Sequence, residues 1–234
     1  PTFTIEIDDG SATSTQTLNI SFDNTSKNYL VTTANDTGAG SLRNAVSTAS
    51  FGDIITFALS DYPSTIRLNS TIELNKNLTI KGPGANLLRI SGDSNGDGNP
   101  DVKIFNVSRV VSIDGVHFSD ATSTSGGAVS VSGNGELYVT GCEFTDCLAE
   151  EWGGAIDVLN GKLVVDSCLF YNNRVSASSG RGGGAVSIYS NKESKFLNTT
   201  FSGNFQLASG AIGGGAVYVE NYEPSTQLNV NFNY

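Results

Sequence analysis

The chain has 234 residues, 27 of them glycine, no methionine, and a formal charge of -10 at pH 7. Its length fits one domain or two, and its wealth of Gly, Val, Ile, Thr, Asn and Ser is that of a β- and turn-rich protein rather than a helical one. The acidic balance argues against a nucleic-acid partner, whose phosphates would be repelled, and no apolar run is long enough to span a bilayer as a helix.

From the N-terminus, Thr2 to Ile7 and Thr17 to Phe22 alternate polar and apolar residues around Asp8-Asp9-Gly10, which predicts two strands and a turn. A strand from Val31 runs into the polar loop Asn35-Asp36-Thr37-Gly38-Ala39-Gly40. One helix follows: Ser41 is a good N-cap, and Leu42, Ala45, Val46 and Ala49 fall at i, i+3, i+4 and i+7 before Gly52. Beyond it the period is two. Ile55/Phe57/Leu59, Ile66/Leu68, Ile72/Leu74 and Leu78/Ile80 are short strands joined by soft bends, so three of them make one triangular coil of a solenoid. A hairpin meander would need tight reversal turns instead.

The second half repeats. Gly126-Gly127-Ala128-Val129, Gly153-Gly154-Ala155-Ile156, Gly183-Gly184-Ala185-Val186 and Gly214-Gly215-Ala216-Val217 start 27, 30 and 31 residues apart (126 to 153, 153 to 183, 183 to 214). Such a period means stacked units, each burying its apolar face against its neighbours. Three columns align: Val111-x-Ile113, Leu137-x-Val139, Leu163-x-Val165 and Ser194-x-Phe196; then the bends Gly115, Gly141, Ser167 and Asn198; then Phe118, Phe144, Phe170 and Phe201. The expected interior is stacked aliphatic and Phe side chains with no polar network. The helix is placed to plug the N-terminal end, where open edge strands would otherwise aggregate. The last segment, Leu228 to Tyr234, echoes Leu18 to Asn24, and the chain is read as one module of a longer polypeptide. The expected division is residues 1–28 as leading strands, 29–224 as the solenoid and 225–234 as a terminal strand opening a further module.

Gly-Gly-Ala-(Ile/Val) alternating with Phe-x-x-Asn resembles the repeat of chlamydial polymorphic outer membrane proteins, which are autotransporter adhesins. The second element is complete at Phe170-Tyr171-Asn172-Asn173 and Phe201-Ser202-Gly203-Asn204, whereas Ala121 and Cys147 stand where Asn belongs after Phe118 and Phe144. Val31 to Ala45 and Asn77 to Ala85 are similar to a wider set of bacterial secreted β-helix proteins. The resemblance implies an all-β, right-handed parallel β-helix (a pectin-lyase-like solenoid) with a short N-terminal capping helix. It also implies an extracellular or bacterial cell-surface location and the role of stalk or passenger of an adhesin.

The sharpest local motif is Asp93-Ser94-Asn95-Gly96-Asp97-Gly98-Asn99-Pro100-Asp101. Oxygens at alternating positions around a Gly suit a hard cation. The spacing resembles calcium-binding hairpin loops of integrin-type propellers and lacks the EF-hand Glu, Ile104 standing in its place. A structural Ca2+ held by Asp93, Asn95, Asp97, the Asn99 carbonyl and Asp101 is expected; a cation-free acidic turn is the alternative. Trp152, the only tryptophan, follows Glu150 and Glu151 in a loop. An aromatic beside carboxylates can stack on a sugar, though packing of the loop on the coil competes with that reading. His117 falls in an outward column with Glu143, Leu169 and Thr200 and is expected to be a surface residue. Cys142 and Cys168 share an inward column as buried thiols, with a bond from Cys147 to either left open.

Many β-helices cut polysaccharides, which takes paired carboxylates, or Ca2+ with a basic residue. Asp114 and Asp166 share one outward column and Asp157 lies on another face, but no Arg or Lys column accompanies them. The leading expectation is therefore a non-catalytic, adhesin-like or structural display module. Its partner is a host or neighbouring-cell protein or glycan, contacted through loops near 146–152, 174–182 and 205–213. A polysaccharide-binding or polysaccharide-cleaving β-helix is the alternative.

Overall fold

The computed structural model describes residues 25–176, 182–207 and 213–221, together with the strands Thr2–Asp8, Thr13–Asn19 and Val230–Asn233. The first two strands form an antiparallel pair with Thr2 opposite Asn19. The second begins nearer the N-terminus than its alternation suggested. The turn at 9–12, residues 20–24, and Leu228 and Asn229 of the terminal echo lie outside the described residues.

The described strands from residue 28 onward wind into a parallel β-solenoid. Sheet I has eight strands, stacked from Asn28–Val31 through Asp53–Phe57, Leu78–Lys81, Val110–Asp114, Glu136–Thr140, Lys162–Asp166 and Ser194–Leu197 to Val230–Asn233. Sheet II stacks Ser64–Arg67, Leu88–Ser91, His117–Ser119, Glu143–Thr145, Leu169–Tyr171 and Thr200–Ser202. Sheet III holds Thr122–Ser125, Leu148–Trp152, Arg174–Val175 and Phe205–Gln206. Sheet IV runs from Ile72–Leu74 through Phe105–Val107, Val129–Ser132, Ile156–Leu159 and Val186–Tyr189 to Val217–Glu220. The coil of residues 64–81 is triangular, as its three strands required. Later coils add the fourth side, sheet III, so 148–152 is a strand and the loop expected there is corrected. The bend Asn69-Ser70 fills that side in the triangular coil.

Register follows the sequence columns. Val111, Leu137 and Leu163 stack, as do Phe118, Phe144, Phe170 and Phe201, and Val129, Ile156, Val186 and Val217. The Phe144 and Phe170 rings are 4.7 Å apart and 4° from parallel, and Phe118 and Phe201 extend the stack at 4.8 and 4.9 Å. That separation equals the rung spacing, so the ladder imposes the ring geometry. Each such pair contributes about 0.5–1.5 kcal/mol beyond area burial.

Several residues turn corners in the left-handed region, and two columns of them run through four rungs. One column is Gly115, Gly141, Ser167 and Asn198; the other is Asp120, Asp146, Asn172 and Gly203, all with φ between 46° and 65°. Small, Asn and Asp residues tolerate that conformation best. The second glycine of each pair has a different cause. A Cβ on Gly127 would strike the carbonyl oxygen of Gly154, one on Gly154 that of Gly184, and one on Gly184 that of Gly215. The phrase therefore marks where successive rungs touch backbone to backbone.

The helix Leu42–Thr48 packs Leu42, Ala45 and Val46 into the core at the N-terminal end. Ser41 Oγ accepts from the Asn44 amide at 3.1 Å, the N-cap its sequence announced. Lys76 Nζ donates to the carbonyls of Val46, Ser47 and Ala49 at 3.2, 2.9 and 2.6 Å, satisfying the last turn with a cation. Arg43 ties the helix to Asp36 at 2.7 Å and to the Ser70 and Thr71 carbonyls.

The interior does contain a polar network, against expectation. Asn173 is fully buried; its Oδ1 accepts from the Cys147 amide at 3.1 Å and its Nδ2 donates to Phe144 O at 2.9 Å. The Cys147 amide lies at a corner outside the strands, and the Asn173 side chain satisfies it.

Candidate functional site

The acidic loop 93–101 leaves sheet II after Ser91 and returns to sheet IV at Phe105. The Asp93 carboxylate turns inward and organises it. Oδ1 accepts from the Gly96 and Asp97 amides at 2.7 and 3.2 Å, and Oδ2 from Gly98 at 3.0 Å. Burial opposes its charged form, but the Gly98, Gly96 and Asp97 amides and Arg67 outweigh that and hold its carboxyl below the ordinary value. Asn95 Oδ1 accepts from the Asp97 amide, Asp97 Oδ1 from the Asn99 amide, and Asp101 Oδ2 from Ser94 N and Oγ. The loop thus spends these oxygens on its own donors. Among the described residues, no three His, Cys, Asp or Glu side chains converge as a metal cluster.

On sheet II the outward column reads Arg89, His117, Glu143, Leu169 and Thr200. His117 is more enclosed than a surface residue, its side chain 12% exposed. Its Nε2 lies 2.8 Å from the Thr145 hydroxyl and its Nδ1 4.0 Å from Glu143 Oε2. Burial first, and the Arg89 charge second, push its pKa down, so the ring is neutral at pH 7.

A groove lies on the outer face of sheet IV. It encloses about 360 Å3 and is lined by Ser125, Trp152, Asp157, Leu159, Tyr189 and Glu220. The register explains the convergence. Leu159, Tyr189 and Glu220 occupy one outward column on three successive rungs, and Asp157, Ser187 and Tyr218 the column beside it. The groove therefore runs along the solenoid axis. Trp152 ends its sheet III strand opposite Ser125 and forms the other wall. Its ring reaches toward Tyr218, centroids 6.2 Å apart at 46°. The small Ser187 between them is buried, its hydroxyl accepting from the Gly153 and Gly183 amides.

Asp157 is the unusual member. Burial pushes its carboxyl up to about 6, against the pull of Lys103 and the Val158 amide, and no described side chain hydrogen-bonds it. Lys103 is engaged elsewhere, donating to Ser130 Oγ at 2.7 Å and Asn106 Oδ1 at 3.3 Å. Asn106 in turn donates to Glu73 at 2.7 Å. Tyr218 donates to Glu220 Oε2 at 2.7 Å, tying a rim tyrosine to a lining carboxylate. Glu150 and Glu151 are exposed on the strand that carries Trp152, and Thr124 Oγ1 lies 3.4 Å from Glu150 Oε2.

The expected ligand trio of Glu150, Glu151 and Trp152 is thus split. Trp152 lines the groove, and the two glutamates are not among its lining residues. Asp157 was visible as an outward acid, while Leu159, Tyr189 and Glu220 were not foreseen. Their signal is the third residue after the Ile or Val that closes each glycine phrase (156 to 159, 186 to 189, 217 to 220). Asp166, weighed as a catalytic acid, has Oδ1 occupied by Ser167 Oγ at 2.9 Å and Asn198 Nδ2 at 3.1 Å, both corner residues. All three cysteines are free and buried, the open pairing of Cys147 not being formed. Loop residues 177–181 and 208–212 lie outside the described residues.

No protein-family model matches this chain, and no curated protein matches it.

Proposed function

We propose that the chain is a non-catalytic, adhesin-like display module of an extracellular or bacterial cell-surface protein, and that it binds a glycan of a host or neighbouring cell in the groove on sheet IV. The observation that carries this reading is the groove itself: an indole wall, a Leu–Tyr wall and a carboxylate that no described side chain hydrogen-bonds, along one axis of a stiff ladder. Sugar rings offer an apolar face to an indole and hydroxyl donors to a carboxylate, and pockets of a few hundred Å3 with few polar groups are the usual form of such sites. A solenoid suits display because its loops and outer columns vary without refolding the stack. The outward acids speak for binding over cleavage, since Asp166 serves the corner rather than a second carboxylate. A glycan array tests the reading: wild type should retain a defined set of glycans and Trp152→Ala should lose at least about ten-fold in affinity for them. Retention unchanged by that substitution would remove the groove from the proposal.

Structural calcium at 93–101 belongs to the same proposal, with a rearranged loop releasing Asp93, Asp97 and Asp101 to the ion. A melting temperature raised by calcium and lowered by chelator supports it; identical melting curves contradict it.

A further inference from the structure

Resting on the glycan reading of the groove, we infer that the ligand is an amino-sugar chain with free ammonium groups, one of which pairs with Asp157. Three observations converge on this chemistry.

First, the polar groups lining the groove are Ser125, Asp157, Tyr189 and Glu220, and none is a cation. A uronate or sulfated chain would bring its charges against Asp157 and Glu220 in a protein of charge -10. Second, Asp157 is half-buried without a hydrogen-bonding side chain, and Lys103 already serves Ser130 and Asn106. A desolvated carboxylate gains more from an opposite charge than from a neutral hydroxyl. Third, the walls are shaped for a chain. Leu159, Tyr189 and Glu220 climb one rung at a time opposite Trp152, so successive sugars can follow the axis with one ring on the indole.

The decisive experiment is isothermal titration calorimetry near pH 7 with three oligosaccharide probes of equal length. They are chito-oligosaccharides fully deacetylated, the same chains fully N-acetylated, and oligogalacturonate. Wild type should bind the deacetylated chain about ten-fold more tightly than the acetylated one, and oligogalacturonate weakest. Asp157→Asn, nearly isosteric, should bring the first two within about two-fold. Asp114→Asn removes the same charge from sheet I and should keep the preference, separating the groove from bulk attraction of a polycation. Equal or tighter binding of the acetylated chain, a preference surviving Asp157→Asn, or equal competition by a lysine-rich peptide would overturn the inference and leave the glycan groove standing. Binding of no oligosaccharide by wild type, or undiminished binding of all by Trp152→Ala, would overturn both.

Discussion

Asn173 and Asn204 stack on adjacent rungs: Asn173 Nδ2 donates to Asn204 Oδ1 at 2.9 Å, and Asn204 Nδ2 donates onward to Phe170 O at 2.9 Å. Each Asn thus satisfies the carbonyl of the Phe on the rung before it, which is the physical content of the recurring Phe-x-x-Asn. Asn173→Ala leaves the Cys147 amide buried without its acceptor and removes the donor that Asn173 gives the Phe144 carbonyl. A loss of about 2–3 kcal/mol in chemical denaturation is expected. A loss within experimental scatter would mean that the corner opens to water and needs no ladder.

The paired glycines make a second prediction, in two parts. Gly154→Ala drives a methyl into the Gly184 carbonyl and the Arg174 backbone, so it should prevent folding or cost several kcal/mol. Gly133→Ala meets nothing within 4 Å and suffers only its φ of +60°. That change should cost about 1 kcal/mol. Equal melting temperatures for the two variants would deny the backbone contact between rungs.

Asp157 makes stability depend on pH. Its folded carboxyl titrates near 6 against an ordinary 3.8. Between those values the folded chain holds a proton that the unfolded chain has released. The contribution of this group is therefore complete below about pH 4 and is lost as pH rises through about 6. Asp157→Asn should match wild type at pH 4 and exceed it by about 1–3 kcal/mol at pH 8, the lower figure reflecting residual solvent contact. A difference constant across that range would mean that the carboxylate is not desolvated.

The thiols should be protected but unequal. Cys142 and Cys168 hydrogen-bond one another, which pushes Cys142 up and Cys168 down, while burial pushes Cys147 up. Native protein should resist maleimide, and the first slow adduct found by peptide mapping should sit at Cys168, whose thiolate is favoured. Prompt labelling of all three would place them outside the core.

Much of the fold is readable in the chain because two periods coincide. Alternation within strands, and glycine and Phe columns between them, leave one stacking register, and the helix announces itself through Ser41 and its apolar stripe. Sheet III is not readable. Thr122–Ser125, Leu148–Trp152 and Arg174–Val175 share no apolar pattern, and they pair because the coil brings them side by side. The role of Asn173 is hidden for a similar reason, since the Cys147 amide and Phe144 carbonyl it serves belong to another rung. The groove escapes for the same cause at larger scale. Ser125, Asp157, Tyr189 and Glu220 are some thirty residues apart in sequence, and each looks like an ordinary outward polar residue. Only the register, read outward rather than inward, assembles them.

Trp152 is the only tryptophan in the chain, so intrinsic fluorescence reports on this groove without labels. Titrating the deacetylated chito-oligosaccharide into wild type should shift or quench the emission saturably, with a midpoint matching calorimetry. Heat of binding with an unmoved emission would put the glycan elsewhere on the solenoid and contradict the groove as its site.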